Sequence, residues 1–101
     1  MEIQENQDAA DQMTLVVSGE VDLDKSPQLR NKITSNLNEN KSVAVDLSGV
    51  SYIDSSGVSC LLEGMQLSKK KDLVFELINV SEAVMKVLQL AHLDKILTIR
   101  T

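Results

Sequence analysis

The hydrophobic positions fall in blocks, and the spacing within each block changes along the chain. Residues 12–18, QMTLVVS, are β-branched and apolar and predict a strand. The segment Met1–Gln7 predicts a weaker edge strand, joined to the first through a turn near Asp8–Asp11. Gly19–Lys25 reads as an acidic loop. Ser26-Pro27 reads as a helix start, with Ser as N-cap and Pro at the first helical position. Leu29, Ile33 and Leu37 follow at intervals of four, one apolar stripe about three turns long, which the Asn-rich stretch 36–40 ends.

Residues 42–47, SVAVDL, are a short apolar run and predict a buried strand; Ser48-Gly49 breaks it, and Val50–Ile53 is extended. After Asp54-Ser55-Ser56-Gly57, the residues Val58, Leu61, Leu62 and Met65 recur as in an amphipathic helix. That helix closes on Lys69-Lys70-Lys71, cations suited to the negative end of the helix dipole. Residues 73–78, LVFELI, predict a further strand. Ser81 caps a helix carrying Val84, Val87, Leu88 and Ala91, and residues 95–99, KILTI, end the chain as a strand. The order is β-β-α-β-α-β-α-β, an alternation that argues for an α/β domain over residues 1–101. Both faces of the central strands look apolar, which by itself predicts helices on both sides of the sheet.

Charge sharpens this picture. The net charge is −5, but residues 1–24 hold seven acids and no Lys or Arg. A nucleic-acid binder shows a basic face with aromatics for stacking. Here Tyr52 and Phe75 are the only aromatics, and the one basic run is three residues long. A membrane-spanning helix needs about 20 apolar residues in a row, and the chain has no such run. The polar, acidic start, MEIQENQDAADQ, is unlike a secretory signal, so the expected compartment is the cytoplasm. A single cysteine, Cys60, excludes an internal disulfide and a multi-cysteine zinc site.

Candidate chemistry concentrates where the strand ending at Ile53 passes into a helix, since sites in open α/β sheets form at the carboxyl ends of strands. Ser55 or Ser56 is expected as the N-cap of that helix. A phosphate there would meet free backbone N–H groups and the positive end of the dipole. The plainer reading is that such a run is only a cap and turn. Nucleophilic catalysis by serine is disfavoured. Around Ser59 the chain reads Gly57-Val58-Ser59-Cys60-Leu61, which lacks the second glycine of a hydrolase elbow. The sole histidine, His92, lies at the end of the last helix and reads as a surface residue. Cys60 reads as a small buried apolar residue without a redox partner. Glu20, Asp22, Asp24 and Asp54 lack the spacing of a calcium loop and read as a solvated acidic surface, or as a recognition surface for a basic partner. No glycine-rich phosphate loop is present, so the residues ask for no cofactor.

Taken together, these segments resemble the STAS family. The residues that carry the likeness are Gly19-Glu20-Val21-Asp22, Val45-Asp46-Leu47-Ser48-Gly49-Val50, Ile53-Asp54-Ser55-Ser56-Gly57 and Asn79-Val80-Ser81 with the helix after it. The Asp-Ser-Ser-Gly form is similar to the bacterial anti-sigma factor antagonists. The resemblance implies a mixed sheet with helices mainly on one face, in contrast to the pattern-based expectation. It implies a non-enzymatic binding module that captures an anti-sigma factor with serine-kinase activity, freeing a sigma factor or an equivalent output. That kinase would phosphorylate Ser55, and a PP2C-type phosphatase would reverse the step. Glu20, Asp22, Asp24, Asp54, Ser56, Gly57 and Ser59 would belong to the partner-binding surface, and the free protein would be a monomer with no apolar stripe to spare. Ser59 stands where many antagonists have glycine, a departure that bears on the partner's identity. A related STAS protein serves a bacterial phospholipid-transport ABC system, usually with Asp-Thr in place of Asp-Ser-Ser.

Overall fold

A computed structural model describes residues 1–100. Its elements are β1 (Glu2–Ala9), β2 (Gln12–Val21), α1 (Ser26–Asn38), β3 (Ser42–Ile53), α2 (Ser55–Lys70), β4 (Phe75–Ile78), α3 (Glu82–Leu90) and β5 (Ile99–Arg100). The order matches the expected alternation. The strands lie side by side in chain order, with β1 antiparallel to β2 and every later neighbour parallel. The sheet is therefore mixed.

Alternation along the strands shows which face is covered. Met13, Leu15 and Val17 of β2, Val43, Val45 and Leu47 of β3, and Phe75 and Leu77 of β4 are buried. The residues between them, including Thr14, Val16, Ala44, Asp46 and Glu76, are only half-buried. Side chains on a strand alternate between faces, so one face packs on the helices and the other stays open. This corrects the expectation of helices on both sides. Apolar residues such as Val16 and Ala44 on the open face made the strands look two-sided in sequence.

The predicted helical stripes are the packed ones. Leu29, Ile33 and Leu37 of α1, Val58, Leu61 and Met65 of α2, and Val84 and Leu88 of α3 join the strand residues in one core. Each fully buried Leu or Ile contributes about 1.5–3 kcal/mol relative to exposure. Gly64 lets α2 approach its neighbours closely, since a Cβ there would lie 2.8 Å from Phe75 Cζ and 2.9 Å from Ile33 Cγ2.

Several local expectations are corrected. Ser26 is not an N-cap: Lys25 holds that position without a side-chain bond, and Ser26 is the buried first residue of α1. Strand β2 continues through Val21, so Glu20 lies on a strand and only the residues after Val21 form the turn. Strand β3 does not break at Ser48-Gly49. It carries two extra residues against β2, visible as register shifts between Val16 and Ser18 and between Gly19 and Glu20. Such bulges absorb the irregular sequence without ending the pairing. At the C-terminus, only Ile99–Arg100 pair as β5, while Lys95 and Ile96 belong to a turn held by Ile96 N–H on the Leu93 carbonyl. Tight i→i+3 bonding there competes with extension.

Candidate functional site

The bulged end of β3 and the end of β2 converge on the N-terminus of α2. Val21 pairs with Ile53, and the Asp54 amide donates to the Val21 carbonyl at 3.2 Å. Asp54 leaves the strand with extended backbone and caps α2: its carboxylate accepts from the Ser56 amide at 3.0 Å and the Gly57 amide at 3.2 Å. The Ser56 hydroxyl donates to the same carboxylate oxygen. The N-cap is thus Asp54, not Ser55 or Ser56. A carboxylate two and three residues before those amides reaches both, and its charge complements the dipole better than a hydroxyl. The Ser56 hydroxyl foremost, with the amides of Gly57, Ser56 and Leu23, holds the Asp54 carboxyl below the usual range.

This places the neighbouring residues in distinct roles. Ser55, the first residue of α2, is exposed, and among the described residues nothing takes up its hydroxyl. Ser56 is half-buried and committed to Asp54. Gly57 is buried; a Cβ there would stand 2.6 Å from Ile53 Cγ1 and 2.9 Å from Val21 Cγ1, so glycine brings α2 down onto both strand ends. Ser59 is exposed one helical turn beyond Ser55.

The acidic turn meets the same place. Asp22 binds its own turn: its carboxylate accepts from the Lys25 amide at 3.1 Å, and its carbonyl accepts from Lys25 at 3.1 Å and Ser26 at 2.8 Å. The Leu23 amide helps hold the Asp54 carboxyl charged, which sets the β2–α1 turn beside the start of α2. Asp24 and Glu20 are exposed. Among the described residues, no three His, Cys, Asp or Glu side chains converge as a metal site requires.

Beneath the site, Cys60 is buried, with its one S–H shared between the Ser26 carbonyl at 3.3 Å and the Ser56 carbonyl at 3.2 Å. Burial pushes the thiol up from its ordinary value, against the pull of Arg30. A neutral thiol is a poor nucleophile. Arg30 also bonds Glu63 at 2.6 Å, joining α1 to α2. His92 is exposed, with φ of 58° just past the end of α3. A cleft of about 230 Å³ on the open face, lined in part by Thr14, Ala44, Glu76 and Arg100, lies toward the opposite end of the strands from Ser55.

Two residues of this region escape a reading by motif. Leu23 and Tyr52 are large apolar side chains at 73% and 49% exposure, contrary to the expectation of no apolar surface to spare. Tyr52 pairs with Glu20 across the β2–β3 ladder, which sets both on one face of the sheet. A lone Leu in an acidic turn carries no periodicity that would have marked it.

Comparison with known proteins agrees with this architecture. An anti-sigma-B factor antagonist of Bacillus subtilis is 28% identical over 83 residues, which are 82% of this chain and 76% of that protein. Among solved structures, the anti-sigma factor antagonist SpoIIAA in its unphosphorylated form superposes with a TM-score of 0.84 at 24% identity, covering 99% of this chain and 89% of that one. The Bacillus cell fate determinant SpoIIAA in its phosphorylated form gives 0.78 at 24% identity, covering 99% and 92%. An anti-sigma factor antagonist from Mycobacterium paratuberculosis gives 0.79 at 23% identity, covering 97% and 85%. At these identities the structural likeness is one of fold. A family model described as "Mlab, STAS domain" matches residues 5–99. With nearly the whole chain inside that match and the β-β-α-β-α-β-α-β order in place, the protein belongs to the STAS domain family.

Proposed function

We propose that this protein is an anti-sigma factor antagonist of the cytoplasm. In its unphosphorylated form it binds an anti-sigma factor with serine-kinase activity, releasing that factor's sigma factor or an equivalent output. Phosphorylation of Ser55 ends the binding, and a PP2C-type phosphatase restores it. The observation that carries this reading is the division of labour between two adjacent serines. Ser56 spends its hydroxyl on the capping carboxylate, while Ser55 presents an exposed hydroxyl at the head of α2 that no other described residue takes up. The 28% identity to the Bacillus subtilis antagonist supports the choice of partner class.

The chemistry of the switch follows from the cap. Phosphoryl transfer to Ser55 Oγ adds about −1.5 to −2 charges. The amides of Ser56 and Gly57 are occupied by Asp54, and the Val58 amide donates to the Asp54 carbonyl at 3.0 Å. The phosphate therefore finds these donors taken and adds its charge to a surface already carrying Asp54, Asp22 and Asp24. Repulsion and desolvation at a docked interface then oppose binding. ATP and magnesium belong to the kinase; this chain contributes the acceptor hydroxyl and the surface around it.

The test is incubation with the cognate kinase, ATP and magnesium, followed by peptide mass spectrometry. One phosphate on the peptide containing Ser55, absent in Ser55→Ala, is expected. Undiminished modification in Ser55→Ala overturns the assignment. A second reading stands beside this one because the matching family model is named Mlab and not for a sigma-factor regulator. In it, the protein is the STAS subunit of a phospholipid-transport ABC system, and co-purification with an ABC ATPase and not with a kinase would establish it.

A further inference from the structure

We infer that Leu23 and Tyr52 are the apolar anchors by which this protein seats its partner, and that the partner offers an apolar pocket with a basic rim. This inference rests on the function proposed above and concerns the same surface. The two segments that meet at Asp54 each carry one large apolar side chain into solvent: Leu23 on the β2–α1 turn, and Tyr52 two residues before Asp54 on β3. Neither is needed by the core, which is complete without them. Their neighbours Val21 and Ile53, paired across the same ladder, are the residues that turn inward.

The backbone beneath the anchors is braced. Leu23 is held by the hydrogen-bonded turn that Asp22 closes, and Tyr52 by the ladder to Glu20. A braced backbone has little conformational freedom left to lose on binding, which favours a strong anchor. Interface energy concentrates in a few such residues, aromatic ones especially, with a polar ring around them. The acids that neighbour Leu23 and Tyr52 along the chain and across the ladder are Glu20, Asp22, Asp24 and Asp54, with Lys25 the one cation in the turn. A surface of that sign selects a protein surface rich in Arg and Lys. The same arrangement explains why a phosphate on Ser55 would be effective: it would place charge beside the anchors, where docking must expel water.

The experiment measures the affinity of the cognate anti-sigma kinase for the wild type, Leu23→Ala, Tyr52→Ala and Leu90→Ala by calorimetry, with circular dichroism as a fold check. Leu90 is also exposed, at 83%, but lies at the end of α3. Leu23→Ala and Tyr52→Ala are each expected to weaken binding about tenfold or more, and Leu90→Ala to leave it unchanged. Binding of the wild type should also weaken steeply with salt. A kinase that phosphorylates Ser55 yet binds both anchor variants as tightly as wild type overturns the inference and leaves the function standing. A kinase that neither binds the wild type nor modifies Ser55 overturns the function, and the inference with it.

Discussion

Gly57 has no side chain to offer a partner, yet it shapes the site as much as any residue there. Its absent Cβ is what allows the first turn of α2 to rest on Val21 and Ile53. Gly57→Ala would force a methyl to within 2.6 Å of Ile53 Cγ1, and α2 would have to lift. The expected loss is about 1–3 kcal/mol, the usual cost of overpacking a filled site, read from the denaturant midpoint. A wild-type midpoint would mean that the helix start moves freely, contrary to its packing. Asp54 works at the same scale. The Asp-Ser-Ser-Gly run was legible as a helix start, but which residue caps it was not, because Asp and Ser are comparable N-caps by propensity. Geometry settles it: the extended backbone of Asp54 aims its carboxylate at two amides and one hydroxyl at once.

At the scale of elements, β3 and the loop into α3 are joined by one carboxylate. Asp46 accepts from the Ser48 amide at 2.9 Å, the Ser48 hydroxyl at 2.8 Å and the Asn79 side chain at 3.0 Å. Ser81 adds a second tie, donating to the Val50 carbonyl at 2.7 Å while accepting from the Val84 amide at 3.3 Å. Burial pulls the Asp46 carboxyl upward, but the bonds from Ser48 and Asn79 outweigh it and hold it below its ordinary value. A carboxyl lowered in the folded state stabilises above its unfolded pKa of about 3.9. That stability is lost as pH falls through the still lower folded value. Asp46→Asn should therefore melt at a lower temperature than wild type at neutral pH. The gap should close as the pH is taken down through and below the carboxylate range. A gap that stays constant with pH would show that the charge on Asp46 contributes nothing. The sequence marked Ser48-Gly49 as a break because both are poor strand formers. The bulge and its carboxylate brace depend on the register against β2, which no local pattern encodes.

Across the whole molecule, the Ser55 hydroxyl stands apart from the core, although the site's Gly57 packs on it. The core lies between one sheet face and three helices, while Ser55 stands at the strand-end rim on an exposed first turn. A charge placed at Ser55 should act on docking and not on folding. Ser55→Glu is expected to change unfolding stability by no more than about 0.5 kcal/mol, as for an ordinary surface substitution. Its affinity for the anti-sigma kinase should fall by about tenfold or more, the cost of like charge at a desolvated interface. Loss of both together would mean that the switch works by unfolding.

The linear chain by itself determined the element order, the three helical stripes and the position of the serine motif at a strand-to-helix junction. These are matters of period and local propensity, carried by neighbours within a few residues of one another. Only the tertiary structure decided the open face of the sheet, the bulged course of β3, the cap at Asp54 and the solvent exposure of Leu23 and Tyr52. The open face and the course of β3 depend on residues 30 to 32 positions apart that meet through parallel strand pairing, and the cap on the backbone angle at which that pairing delivers Asp54; register at that distance leaves no trace in local spacing.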